Sequence, residues 1–130
     1  MNDPAAYLAE IELALLASPI VAEYRVIRSW ANTDDGYIRV RIALASGDFL
    51  ETTEYFVLQG DQIVTMDYRH QWMNDSRQTL YRRWDSTRDH PELADFPDHV
   101  HIGDEKTVVP GQPLSISEVL RVLEAAIAQP

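Results

Sequence analysis

The sequence contains no cysteine, and that absence excludes disulfide stapling, thiolate catalysis and cysteine-ligated zinc or iron–sulfur centres. A cytoplasmic protein is the plain reading of such a chain. Lysine is nearly absent too: Lys106 is the single one, so positive charge rests on arginine. Cations as a class are outnumbered, 11 Lys+Arg against 21 Asp+Glu, for a formal net charge of −10. A surface of that average repels a polyanion, which excludes tight, sequence-independent nucleic-acid binding unless the cations gather on one face. Long apolar runs are missing as well. No segment approaches the ~18 apolar residues that a membrane span requires. The N-terminal MNDPAAYLAEIELALLASP is interrupted by Glu10 and Glu12 and lacks the basic n-region of a signal peptide. Neither an internal repeat nor a low-complexity tract is visible.

What is present is an ordinary globular composition, 45% hydrophobic and 25% charged over 130 residues, enough for one core and too short for two. Asp3-Pro4 is an N-cap followed by the residue whose fixed φ suits a first turn. Tyr7, Leu8, Ile11, Ala14 and Leu15 then recur at three and four until Ser18-Pro19, which predicts a helix over about 4–17. Beyond it the period falls to 2: Ile38, Val40, Ile42 and Leu44 alternate with Tyr37, Arg39, Arg41 and Ala43. Further runs from Val21 to Trp30, Phe49 to Leu58, Ile63 to Trp72 and Gln78 to Trp84 bring the predicted strands to about five, between roughly 21 and 84. Turns such as Ser46-Gly47-Asp48 and Gly60-Asp61 leave no room for crossover helices, so the sheet is expected to be antiparallel. On unbroken alternation, His70 shares a face with Val64, Met66, Tyr68 and Trp72. From about 85 to 113 the prolines Pro91, Pro97, Pro110 and Pro113 dissolve any apolar period, which predicts a long loop. Ser115 with Glu118 is a capping-box signature, and Ile116, Val119, Leu120, Leu123 and Ile127 continue it as a helix over about 115–127. The expected fold is α+β: one domain over residues 1–130, an antiparallel sheet with an N-terminal and a C-terminal helix.

Residues with chemistry to offer are concentrated. His70, His90, His99 and His101 are all the histidines of the chain, and Arg69, Arg77, Arg82, Arg83 and Arg88 fall between positions 69 and 88. Only Asp75 and Asp85 oppose those five arginines, so the stretch carries +3 and the remainder −13. Tyr68, Trp72, Tyr81 and Trp84 are interleaved with them. Imidazoles, guanidiniums and aromatics mixed in this way suit a phosphate- or nucleotide-binding cleft.

Five pieces of the chain together carry a family likeness: Tyr68-Arg69-His70-Gln71-Trp72, Arg83-Trp84-Asp85, His90-Pro91-Glu92-Leu93, the run from Phe96 to Glu105, and the closing helical stretch from Pro113 to Leu123. In order and spacing they resemble the small bacterial TumE-type toxin family, formerly a domain of unknown function. Where the family pattern often has His-His-Pro and Phe-Pro-His-His, this chain carries Asp89 and Asp98. The resemblance implies a toxin with a cognate antitoxin, expected to be a small helix-turn-helix protein. RNA cleavage without a metal is the activity favoured on that basis. In it a 2′-OH attacks the neighbouring phosphate, one group takes its proton, another protonates the leaving oxygen, and arginine stabilises the pentavalent charge. His70 and His90 are the candidates for base and acid, Arg69 and Arg83 for phosphate contact, and Asp85 for orienting an imidazole or an arginine. Tyr68 and Trp84 are candidates for substrate binding. His99 and His101 join them, because alternate residues of an extended segment point the same way.

Plainer readings stand beside these. His70 fits equally a buried, hydrogen-bonded core imidazole, Arg83 and Asp85 a surface ion pair worth under ~1 kcal/mol, and Arg77 and Arg82 solvated charges. No metal or cofactor is assigned, although His99-x-His101 near Asp98, Asp104 and Glu105 is also a ligand mix suited to zinc or manganese. The acidic remainder suits a basic partner, which keeps open a non-catalytic binding module that acts by occupying that partner. A stand-alone structural domain is a third reading. Edge strands not blunted by proline or lysine leave pairing into a homodimer open, and no membrane partner is expected.

Overall fold

The computed structural model describes residues 3–128. Asp3 accepts a hydrogen bond from Ala6 N at 2.7 Å and Pro4 occupies the first turn of α1 (Pro4–Ala17), so the helix starts where its cap predicts. It ends at Ser18, whose backbone turns extended ahead of Pro19. Seven strands follow: β1 (Val21–Ala31), β2 (Asp35–Leu44), β3 (Phe49–Gln59), β4 (Gln62–Met73), β5 (Leu80–Asp85), β6 (His99–Ile102) and β7 (Val108–Pro110). They form one sheet in sequential order with every neighbouring pair antiparallel. The closing helix is α2 (Ile116–Ala128). Its capping box forms as predicted: Glu118 N donates to Ser115 Oγ at 3.1 Å and Ser115 N to Glu118 Oε1 at 3.0 Å.

The α+β class, the antiparallel sheet and both helices agree with the sequence, but the strand count is seven instead of five. The two extra strands lie inside the proline-bearing segment expected to be loop. β6 has four residues and β7 three, too few to show an alternation against the surrounding prolines. Pro110, lacking an N–H, is tolerated because β7 is an edge of the sheet.

Alternation on the strands divides the sheet into two faces. Ile38, Val40, Ile42, Leu44 and Leu50 pack with Ile11 and Leu15 of α1 and with Ile116, Val119, Leu120 and Leu123 of α2 in one core. Both helices therefore cover the same face, and among the described residues the other carries no helix. Phe56 is fully buried on the covered side, and Gly36 makes room for it: a Cβ there would come within 2.4 Å of the Phe56 ring. One buried carboxylate ties the helices to the sheet. Glu54, 0% exposed, accepts bonds from Tyr7 Oη of α1 (2.6 Å), Thr65 Oγ1 of β4 (2.9 Å) and Ile116 N at the start of α2 (2.9 Å). Burial raises its pKa above the ordinary carboxylate value, with these donors acting in the opposite direction.

The alternation on β4 is not unbroken. A register shift sets Tyr55 opposite Asp67 and Phe56 opposite Thr65, so Met66 is an extra residue and is 47% exposed. Thr65 takes the covered side in its place, and Val64 and Met66 do not share the face of Tyr68 and His70 as simple alternation predicts.

Candidate active site on the open face

Directly paired residues of an antiparallel sheet point to the same side, so the register lists what the uncovered face displays. One cross-strand row runs Arg28, Arg39, Thr53, Arg69, Asp85, His99. The adjacent row runs Arg25, Arg41, Glu51, Gln71, Arg83, His101. Next to them Trp30 stacks on Tyr37 with ring centroids 6.0 Å apart and tilts against Tyr55 at 6.3 Å. A groove lined by Tyr37, Arg39, Glu51, Thr53, Arg69 and Gln71 crosses this face. A second hollow continues past Arg69 to Ser86 and Thr87, the residues that follow Asp85.

Asp85, the last residue of β5, is only 2% exposed and is the hub of the far end. Its Oδ1 accepts from Thr87 N (3.0 Å) and Thr87 Oγ1 (2.8 Å), and its Oδ2 from Arg83 Nε (3.1 Å). Burial favours the neutral acid. The Thr87 bonds and the Arg83 bond outweigh it and hold the carboxyl below its ordinary pKa. The rest of the Arg83 guanidinium grips Glu105 with both terminal nitrogens at 2.6 Å. Arg83 is 8% exposed whereas the Glu105 side chain is 67% exposed. A surface carboxylate thus fills the fork in the bidentate manner that suits a phosphate equally well.

Three imidazoles meet at this carboxylate. The His99 ring centroid is 4.9 Å from that of His101, and His90, on the connection between β5 and β6, stands 5.0 Å from His99 and 5.7 Å from His101. The Nδ1 atom of each faces an oxygen that can only accept: Pro97 O for His99 (2.9 Å), Glu105 O for His101 (3.1 Å) and Glu92 Oε1 for His90 (3.2 Å). Each Nδ1 therefore carries a proton and donates it, which leaves Nε2 as the nitrogen with a free lone pair in the neutral ring. His99 Nε2 approaches Asp85 Oδ1 to 2.8 Å and His101 Nε2 approaches Asp85 Oδ2 to 3.7 Å. The first lacks the alignment of a hydrogen bond and the second is too long for one, so both Nε2 atoms are buried without a hydrogen-bond partner. An unsatisfied buried nitrogen costs roughly 1–3 kcal/mol. Burial, then the Arg83 charge, lower the pKa of His101, which keeps that ring neutral.

The predicted site residues fall on opposite faces. Asp85, Arg83, Arg69, His99 and His101 share the open face, and His90 packs over its end. His70 pairs with Trp84 on the covered face and is 0% exposed, its Nε2 donating to Leu114 O at 2.7 Å and its ring stacked on Tyr68. Tyr68 and Trp84 belong to the core, and the Tyr68 hydroxyl donates to Asp98 Oδ1 at 2.8 Å. Of the two departures from the family pattern, Asp98 thus binds Tyr68, and Asp89 lies 3.0 Å from the Thr87 hydroxyl. Sequence reasoning missed Arg25, Arg28, Arg39 and Arg41 as members of this surface, as well as Trp30, Tyr37 and Tyr55, and it named Glu92 and Glu105 without the contacts they make to His90, His101 and Arg83. The signal for Tyr37, Arg39 and Arg41 was present on β2, where with Ala43 they fill the slots opposite the apolar series.

A family model described as Toxin TumE matches residues 11–129, nearly the whole chain. The chain belongs to that toxin family. Neither a curated protein nor a solved structure matches it. As a TumE-family member it is the toxin component of a toxin–antitoxin system, with an antitoxin as its partner. The matched stretch contains every residue of the Asp85 cluster and of the arginine rows. Among the described residues no helix is long and apolar enough to cross a membrane.

Proposed function

We propose that this TumE-family toxin is an endoribonuclease that cuts single-stranded RNA at the Asp85 end of the open face. The observation that carries the reading is the meeting of His90, His99, His101 and Asp85 beside Arg83, at the end of a surface bearing arginines and a cluster of aromatic rings. Arginine rows follow a phosphate backbone and aromatic rings stack on unpaired bases. At the cluster the 2′-oxygen of the RNA forms a bond to the adjacent phosphorus while the bond from phosphorus to the 5′-oxygen breaks, leaving a 2′,3′-cyclic phosphate and a free 5′-OH. The 2′-OH proton passes to the histidine cluster, in which His90 is the most accessible ring, and the departing 5′-oxygen takes its proton from water, to which the cluster then returns the first one. Arg83, released from Glu105, and Arg69, paired with Asp85 across the strands, neutralise charge developing on the phosphoryl oxygens.

The test is cleavage of a labelled RNA oligonucleotide by the purified full chain, compared with its 2′-deoxy counterpart. Cleavage of the ribose form alone is expected, with losses on the order of 10²–10⁴-fold in His90→Ala and Arg83→Ala and little change in Arg121→Ala on α2. Cleavage of neither strand by the wild type, or equal cleavage by every variant, sinks the reading.

A further inference from the structure

The three imidazoles of the cluster have a feature that a site working by free acid–base groups does not need. All three are anchored by Nδ1 to fixed oxygens, and in a neutral ring each therefore presents Nε2. Two of those Nε2 atoms are buried and without hydrogen-bond partners, in rings only 1% and 3% exposed. One nitrogen from each of His90, His99 and His101 falls within 4.8 Å of the others. A second shell in which Nδ1–H is donated to a carboxylate or a backbone carbonyl is the usual way that a metal-ligating histidine is oriented and its tautomer fixed.

We infer that His90, His99 and His101 hold one divalent transition-metal ion of the zinc class through their Nε2 atoms, with Asp85 as counter-charge and fourth ligand. Imidazole nitrogen with a single carboxylate is a ligand set for zinc and its borderline neighbours, whereas magnesium and calcium favour oxygen. Four ligands at about 2.0–2.1 Å in a tetrahedron lie roughly 3.3 Å from one another. Asp85 stands beside two of the rings, its Oδ1 2.8 Å from His99 Nε2 and its Oδ2 3.7 Å from His101 Nε2, and a turn of the carboxylate is needed to bring one oxygen to both. His99 and His101 are fixed two residues apart on β6 and Asp85 is on the adjoining β5, so the sheet register holds these three side chains together. His90 lies on the connecting segment, which supplies the small inward movement that closes the site. The ion answers both unpartnered nitrogens at once.

The presence of the ion rests on this geometry alone; its use rests on the endoribonuclease reading. With the three imidazole lone pairs committed, a water displacing Asp85 from the ion would lose its proton to solvent, and the resulting hydroxide would be the base that takes the 2′-OH proton. Arg83 and Arg69 keep their places at the phosphate.

The experiment uses the full chain purified without a histidine tag and stripped with a chelator, titrated with Zn2+, with Co2+ as a visible reporter and with Mg2+ for contrast. One equivalent of Zn2+ is expected, with tetrahedral Co2+ absorption and no comparable uptake of Mg2+. His90→Ala, which changes a ring on a surface segment, is expected to weaken Zn2+ at least 100-fold with the circular dichroism unchanged. Glu92→Gln, one shell further out, is expected to weaken it on the order of 10-fold. Absence of stoichiometric Zn2+ binding, or equal binding by wild type and His90→Ala, overturns the inference. RNA cleavage is run in parallel with and without chelator to separate the two readings. Cleavage that persists in chelator with no metal bound overturns the metal and leaves the endoribonuclease. Stoichiometric metal without RNA cleavage does the reverse.

Discussion

His70 and the three clustered histidines show how the same side chain takes opposite duties according to what faces its second nitrogen. His70 donates Nε2–H to Leu114 O, and its Nδ1 is buried with no partner. Complete burial disfavours the imidazolium and lowers the pKa from 6.5 to about 4. The sign follows directly: between those values the unfolded chain takes up a proton that the folded one refuses, so stability falls as the pH drops through that window and levels below it. The slope is about 1.4 kcal/mol per pH unit. Urea denaturation of wild type and His70→Gln from pH 7 to pH 4 is expected to show the wild type losing on the order of 3 kcal/mol relative to the variant. Parallel curves would place the ring in a solvated environment. At Arg83 the contest is between carboxylate and phosphate. Glu105 is mostly exposed, so deleting its charge costs under about 1 kcal/mol of stability, yet it frees the buried guanidinium. Glu105→Gln is therefore expected to bind an RNA oligonucleotide several-fold more tightly, as read by fluorescence anisotropy; weaker binding would mean that Glu105 itself assists the RNA.

Elements are joined in this fold by a carboxylate that no periodicity announces. Glu54 occupies a slot between Thr52 and Phe56 on the covered side of β3, and its two oxygens receive donors from α1, β4 and the first residue of α2. Glu54→Leu leaves those donors buried and unanswered, and is expected to destabilise the chain by about 2–4 kcal/mol in urea. Glu54→Gln, which keeps one acceptor, is expected to cost less. Sequence reasoning found what local rules write: Asp3-Pro4 and the Ser115–Glu118 box located both helices, and alternation located β1 to β5. It missed β6 and β7 because three or four residues carry no measurable period, and the switch at Met66 because a bulge costs one residue in one strand and leaves no mark in composition. The division of the site was closer to legible. Arg69 and His70, like Arg83 and Trp84, are chain neighbours within strands, and neighbours in a strand face opposite sides. No single cleft could receive both members of either pair.

The charge of the whole molecule is polarised across the sheet, and linear counting found only part of it. Of the five arginines between 69 and 88, Arg69 and Arg83 reach the open-face rows, whereas Arg77 lies over the Phe49 ring and Arg88 over Phe96. The other four guanidiniums in the rows, Arg25, Arg28, Arg39 and Arg41, come from β1 and β2, where folding sets them beside the first two. Six guanidiniums there face Glu51 and Asp85 in the rows and Asp67 and Glu105 beside them, while the helices on the far side carry Glu10, Glu12, Glu118 and Glu124. A net charge of −10 is thus compatible with a cationic track, and what it denies is strong attraction at long range. Binding to that track must be steeply salt-dependent, because each phosphate neutralised on a single strand releases about 0.7 of a counterion. Arg39 and Arg41 are already engaged by Glu51 at 2.7 and 3.2 Å, so the exposed Arg25 and Arg28 are the cleaner probes. With a 2′-O-methyl oligonucleotide, which has no free 2′-OH to attack, the log–log plot of affinity against KCl is expected to flatten by about 1.4 in the Arg25→Ala, Arg28→Ala double variant. An unchanged slope would move the RNA off β1 and confine it to the Asp85 end of the sheet.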